Sequence, residues 1–291
     1  MLDFIVNPIA GGKRGKKMLK NTTLIKSRLL ERGVDFAFHY SSEKGGATAI
    51  TRDLIKSGAT TIVAVGGDGT LHEVINGFSD FDKVSLGIIP CGTGNDFAKA
   101  LKLPLDVRKA VDVVLDNTPK FTDFMQMPTV RGLNVIGMGI DVDVLKRYEK
   151  LKKKTKFGYT KCLVKTLLKF DYVNFKAQFN GVKNDYLSFI ACVANGHVFG
   201  GGIPICPCAI PTDGKLDFVS VDAINKLKII GAFIKLKKGK LLTLKQAHHS
   251  TTQEIEITTN VPYTVNVDGE LYENIPFKVE IKSNLLRIHR T

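Results

Sequence analysis

The five cysteines, Cys91, Cys162, Cys192, Cys206 and Cys208, include no CxxC pair and no Cys/His spacing typical of a zinc site. Their number is odd and most sit in apolar runs, so a disulfide framework is excluded and a reducing cytoplasm is expected. There is no internal repeat and no low-complexity linker. The N-terminus, MLDFIVNP, does not read as a signal peptide. Residues 186–212 carry no Asp, Glu, Lys or Arg, yet Gly196, Gly200 to Gly202, Pro204, Pro207 and Pro211 would break a spanning helix. That run is expected to form buried strands and loops, with any membrane contact peripheral. Acid is also short in the second half. Residues 1–122 hold 17 Lys/Arg against 13 Asp/Glu, and residues 123–291 hold 25 against 15. Most of the net charge of +14 therefore lies late in the chain, which suits an anionic partner, a membrane face or nucleic acid.

What is present is an ordinary globular composition: 44% hydrophobic and 24% charged over 291 residues, enough for two domains. The organising stretch is 60–78, TTIVAVGGDGTLHEVINGF. An apolar β-branched run enters the turn Gly66-Gly67-Asp68-Gly69, and a helix leaves it. Thr70 is read as its cap, with Glu73 closing a capping box. Such a turn offers backbone N–H groups at the positive end of a helix dipole, a phosphate cradle. Asp68 would repel phosphate unless a cation such as Mg²⁺ bridges them. The same residues also suit an ordinary βα turn.

Short apolar strands and periodic helices alternate up to about residue 125: strands at 2–6, 34–40, 61–65, 84–90 and 120–125, helices at 16–32, 47–56, near 97 and at 107–115. This βαβα pattern predicts an open parallel sheet with helices on both faces. Asn7, Ser42, Asp68 and Thr93 would then share the edge where such sheets bind ligands. From about 130 the pattern shifts to short alternating runs separated by Asn180-Gly181, Asp213-Gly214 and Asp268-Gly269, predicting a mostly antiparallel β-sandwich. The expected domains are 1–125 and 126–291. An edge strand of the second could pair two subunits into a homodimer.

The common nucleotide signatures fail. Gly11 to Gly15 is one residue short of a Walker A loop, and GxGxxG is interrupted at its third glycine by His72, Phe97 and Val142. Three loops remain, NPIAGG, GGDGTLHEVING and PCGTGNDFAKAL. Together with GMGID at 137–141, FGGGIPICPCAIPTDGKLDFV at 199–219 and VDGE at 267–270, they resemble the diacylglycerol kinase catalytic-domain family across nearly the whole chain. That family is distantly related to NAD kinases and phosphofructokinases, which share the GGDG turn.

The resemblance implies a Rossmann-like α/β domain followed by the β-sandwich, and a lipid kinase using ATP and Mg²⁺. Asn7, Pro8, Ile9, Ala10, Gly11, Ser42, Gly66, Gly67, Asp68, Gly69, Thr70, Leu71, His72 and Thr93 would line the nucleotide site, with Asn95 and Asp96 supporting it. Asp68 would hold the catalytic Mg²⁺. Asp268 or Glu270 would act as general base on the lipid hydroxyl. A structural cation would be held by the Asp213 side chain and the carbonyls of Ile210 and Lys215. Ala10 stands where the family usually has Ser, and Ser41 is an alternative to Ser42.

Residues 145–170 hold ten Lys/Arg against one Glu, and 224–249 hold seven Lys and no acid, both interleaved with apolar residues. A solvated helix face explains such runs, and so does docking on an anionic bilayer. No nucleic-acid-binding motif accompanies the charge. The expected protein is cytoplasmic, peripheral at the inner membrane face, and phosphorylates diacylglycerol to phosphatidic acid. Another lipid acceptor, an NAD kinase and a non-catalytic membrane-binding protein are the alternatives.

Overall fold

The computed structural model describes residues 1–10, 16–151, 156–167 and 170–291. They form two compact units, Met1–Asp123 with Ser283–Thr291, and Phe124–Lys282. The last nine residues, expected with the second domain, thus belong to the first.

The first unit follows the order β1 (Leu2–Val6), α1 (Lys16–Glu31), β2 (Phe36–Tyr40), α2 (Gly46–Lys56), β3 (Thr61–Gly66), α3 (Asp68–Gly77), β4 (Ser85–Pro90), α4 (Asp96–Ala100), α5 (Val107–Asp116) and β5 (Pro119–Gln126). The order β4-β3-β1-β2 is parallel throughout. β3 and β4 are buried along almost their whole length, which is why they read as continuous apolar runs. Helix α1 lays Met18, Ile25 and Leu29 against one face of the sheet, beside Ala110, Val111 and Val114 of α5. Arg28 of α1 pairs with Asp112 of α5 at 2.7 Å.

The second unit adds β6 (Arg131–Gly132), β7 (Val135–Gly139), α6 (Ile140–Glu149), α7 (Lys156–Leu167), β8 (Val173–Phe179), β9 (Val182–Ala194), β10 (Leu216–Asp222), α8 (Lys226–Lys237), β11 (Ala247–Thr252), β12 (Glu254–Thr259), β13 (Thr264–Val267), β14 (Glu270–Glu273) and β15 (Phe277–His289). Its pairings are antiparallel, as expected for the sandwich. The long strand β9 pairs with β8 through Ser188, and beyond it lies between β7 and β10. Two cores result. One buries Phe175, Phe218, Ile255 and Val279, and the other lies under α6, α7 and α8 around Val144, Leu163, Ile190 and Ile229. The charge-free run forms the end of β9 and the loops after it, as expected. β15 continues past Lys282, and Arg287 and Ile288 pair in parallel with Ser85 and Leu86 of β4 in the first unit. No helix among the described residues is long and apolar enough to cross a membrane.

Candidate active site

Asn7, Ser41, Gly67 and Cys91 each follow the C-terminal end of a parallel strand, so their loops share one edge of the first sheet. Two glycine turns meet there backbone to backbone. A Cβ on Gly92 would fall 2.3 Å from the Gly67 Cα, and one on Gly67 2.9 Å from the Gly92 Cα. No larger residue allows that approach. The Cys91 N–H donates to the Gly66 carbonyl (2.7 Å), and Asn95, at φ 53°, folds the second turn by accepting from the Gly92 N–H (2.8 Å).

Asp68 joins the two turns. Its Oδ1 accepts from the Asp96 N–H (2.7 Å) and the Phe97 N–H (3.3 Å), capping α4 from across the site, while a Cβ on Gly94 would sit 2.7 Å from its Oδ2. A small cleft is lined by Gly66, Gly67, Asp68, Leu71 and Asn95 together with apolar residues of β3, β4 and α4. Asp96 is buried and takes the Lys99 ammonium at 2.9 Å. Thr93, Ser42 and Gly69 are exposed; Ser41 is buried, so Ser42 is the hydroxyl presented at this edge.

The capping-box reading of Thr70 and Glu73 is corrected. Helix α3 starts at Asp68 with Gly67 as its cap and no side-chain cap bond, because the glycine turn enters the helix three residues earlier than expected. Thr70 is buried; its Oγ1 occupies the space a Gly66 Cβ would need, 2.2 Å away. Glu73 instead accepts from the Ala47 N–H (3.0 Å) at the start of α2, whose cap is the left-handed Gly45. The uncapped first turn of α3 leaves the N–H-rich helix end that phosphate favours. His72 is also buried, so its side chain is not offered to this edge. In the first loop the N–H groups of Asn7 and Ala10 bond Val65 and Asn7 carbonyls, and that of Ile9 bonds the Asn7 side chain (3.1 Å). Pro8 is half-buried and Ile9 is exposed; Gly11 lies outside the described residues.

The second unit carries its own constellation. Asp268 and Gly269 form the two-residue turn between β13 and β14, both with positive φ, 53° and 97°. Asp268 accepts three backbone N–H bonds, from Leu133 (2.6 Å), Asn134 (2.9 Å) and Val135 (3.0 Å). Its carboxylate therefore anchors the segment entering β7. Glu270, at the start of β14, is half-buried. Asn266 accepts from the Gly269 N–H (2.8 Å) and donates to Asp141 Oδ2 (3.1 Å). Asp141 is buried, its Oδ1 has no hydrogen-bond partner, and burial pushes its carboxyl up to about 6 against the pull of the Asn266 amide. It lines an apolar cleft with Ile140, Leu163, Phe189, Phe199, Ile229, Phe233 and other apolar residues.

Sequence reasoning did not single out Asp141. The available signal was one carboxylate inside GMGID, but burial is a tertiary property. In the 210–215 turn, the Lys215 N–H donates to Asp213 Oδ1 (3.1 Å), and the Ile210 carbonyl accepts from Thr212 (2.7 Å) and Asp213 (3.4 Å). A carboxylate and two carbonyls form an all-oxygen donor set that suits a hard cation.

The model described as the diacylglycerol kinase catalytic domain matches residues 2–127, and that described as the YegS C-terminal NAD kinase beta sandwich-like domain matches residues 134–290. A Xanthomonas campestris pv. campestris protein named "Probable lipid kinase YegS-like" is 30% identical over 275 residues, 90% of this chain and 88% of that protein. A Staphylococcus carnosus protein named diacylglycerol kinase is 26% identical over 280 residues, 94% of this chain and 89% of that one. Among solved structures, a diacylglycerol kinase from Bacillus anthracis str. Sterne shares the fold with a TM-score of 0.75 at 23% identity, covering 100% of this chain and 96% of that one. An NAD kinase from Archaeoglobus fulgidus, solved in complex with ATP, matches at a TM-score of 0.52 and 13% identity, covering 99% and 92%. With both halves matched in order, the chain belongs to the diacylglycerol kinase catalytic-domain family of lipid kinases.

Proposed function

We propose that this protein transfers the γ-phosphate of ATP to the hydroxyl of a membrane lipid, diacylglycerol, giving phosphatidic acid. The observation that carries the lipid acceptor is the apolar cleft of the second unit. Its one ionisable lining residue among the described residues, Asp141, is tied through Asn266 to the turn that begins β14 at Glu270. Apolar walls suit an acyl chain, and a buried acceptor atom suits a lipid hydroxyl.

The nucleotide would bind at the glycine turns, its phosphates at the uncapped start of α3 and at the Thr93 and Ser42 hydroxyls. Asp68 fits a Mg²⁺ ligand: one oxygen is fixed by two backbone N–H groups, the other lies in a space kept open by Gly94. Bound there, Mg²⁺ would neutralise phosphate charge during transfer. Asp213 with the Ile210 and Lys215 carbonyls would hold a structural cation. Of the two carboxylates in the DGE turn, Glu270 is the base and Asp268 the anchor, because Asp268 already receives three backbone N–H bonds. Phosphoryl transfer asks mainly for positioned groups and charge stabilisation, with a carboxylate to orient the hydroxyl and take its proton.

The basic surfaces of α7 and α8 would seat the protein on the anionic inner face of the membrane. Both helices contribute to the cleft, through Leu163 of α7 and through Ile229, Ala232, Phe233 and Leu236 of α8.

The test is transfer from labelled ATP with Mg²⁺ to diacylglycerol, phosphatidylglycerol, a sphingoid base and a polyprenol in mixed micelles, and to NAD. Labelled phosphatidic acid, lost in Asp68→Ala and Glu270→Gln, is expected. Label in another lipid changes the acceptor; label only in NADP overturns the lipid reading. No label anywhere would leave a non-catalytic membrane-binding protein.

A further inference from the structure

The cysteines that showed no zinc spacing along the chain meet two other ligand types in space. Cys206 and Cys208 lie in the loop before β10, Asp217 on β10 and His249 on β11. In the antiparallel pair β10–β11, Val219 stands opposite His249 and Asp217 opposite Thr251, so Asp217 and His249 project from the same face. The loop brings both thiols onto that face. The two Sγ atoms are 3.3 Å apart; Cys208 Sγ lies 3.6 Å from His249 Nε2 and 3.8 Å from Asp217 Oδ1, and His249 Nε2 lies 2.6 Å from Asp217 Oδ1. All four ligand atoms fall within 4.8 Å of one another.

We propose that Cys206, Cys208, Asp217 and His249 form a structural site for a tetrahedral thiophilic divalent ion, Zn²⁺. Zn–S bonds of about 2.3 Å and Zn–N or Zn–O bonds of about 2.0–2.2 Å give tetrahedral edges of about 3.8 Å between sulfurs and about 3.6 Å from sulfur to nitrogen or oxygen. The distances from Cys208 Sγ to His249 and Asp217 lie close to these edges, and the 3.3 Å between the sulfurs would widen by about 0.5 Å around the ion. The short His249–Asp217 contact is a hydrogen bond in the metal-free protein, and it would open to about 3.3 Å around the ion. Two thiolates with an imidazole select zinc over the hard cations that suit an all-oxygen site. Cys206 and Asp217 are buried, while Cys208 and His249 are exposed, so the ion can enter from solvent and end with four protein ligands. Four ligands leave no position for a reacting water, hence the structural role. Burial raises the Cys206 thiol strongly, with the Asp217 carboxylate adding to it, so the metal-free site holds protons where the ion would sit. On binding, the two thiol protons leave to solvent and the imidazole proton moves to Nδ1, freeing Nε2 as a ligand.

The test uses the full chain, reduced and stripped with chelator, then titrated with Co²⁺ and Zn²⁺. One Co²⁺ per chain is expected, with thiolate charge-transfer and tetrahedral d–d bands that Zn²⁺ abolishes, and a higher melting temperature with Zn²⁺. Cys208→Ser should lose the charge-transfer band and the thermal shift, and His249→Gln the tetrahedral pattern; both are exposed positions whose metal-free melting temperature should match the wild type. Absence of Co²⁺ bands in the wild type overturns the proposal. So does an unchanged spectrum in both variants, or a Cys206–Cys208 disulfide that forms as readily with Zn²⁺ as without it.

Discussion

Single carboxylates in this protein differ in what surrounds them, and that difference sets their roles. Asp68 and Asp268 are both met by backbone N–H groups, two and three respectively, and each ties separate segments together. Asp141 is met by the Asn266 amide and by the backbone at the start of its own helix, and burial among apolar walls outweighs both. Its raised value, about 6 against the ordinary 3.8, makes the folded protein the better proton binder between those two pH values. Stability contributed by the protonated form is therefore lost as pH rises from about 4 to about 6, a cost on the order of 3 kcal/mol above that window. Asp141→Asn should flatten this part of the stability profile and be more stable than the wild type at pH 7. Denaturant melts at pH 4.5 and pH 7 check it; an equal pH dependence in both proteins would contradict the burial argument.

At the scale of elements, α8 shows how one helix can serve two environments. Ile229, Ala232 and Leu236 face the core, while Ile234 is 48% exposed, one helical turn before Lys237 and Lys238. The Lys237 ammonium lies 4.9 Å from the Phe233 ring centroid, which holds one basic group beside an aromatic lining the cleft. An exposed isoleucine flanked by lysines suits the interface of an anionic bilayer. Replacing Lys237 and Lys238 by Gln should weaken sedimentation with phosphatidylglycerol liposomes by roughly thirty-fold, about 1 kcal/mol for each basic residue. Unchanged sedimentation would assign the charge to simple solvation. The companion run of lysines at 152–154, which the sequence also marks for this surface, lies outside the described residues.

At the scale of the whole molecule, the C-terminus returns to the first unit. Leu286 and Ile288 are fully buried, and β15 adds a parallel strand beside β4, the strand that leads into the second glycine turn. Deleting Ser283–Thr291 removes two core side chains, each worth about 2–5 kcal/mol, and exposes the edge of β4. The shortened protein should melt far lower or fail to accumulate in soluble form. A melting temperature within a few degrees of the full chain would show that the first unit folds without its last strand.

The sequence by itself determined most elements of the first unit up to β5, apart from the start of α3, because strand and helix periods and glycine turns are local signals. It also marked the loops that share the sheet edge, since parallel strands with helical connections place their C-terminal ends together. The Asp-Gly and Asn-Gly turns of the second unit were legible for the same reason. Helices α6, α7 and α8 were visible only as basic runs, because their apolar residues interleave with lysine and are short of a clear period. What tertiary structure alone decided is every partnership between distant residues: Glu73 serving α2 instead of its own helix, Asp141 sealed in an apolar wall, β15 reaching β4, and Cys206 and Cys208 meeting Asp217 and His249. Periodicity assigns a residue to a face. Which residue stands opposite depends on register and chain return, and those are settled only when the sheets form and the cores close.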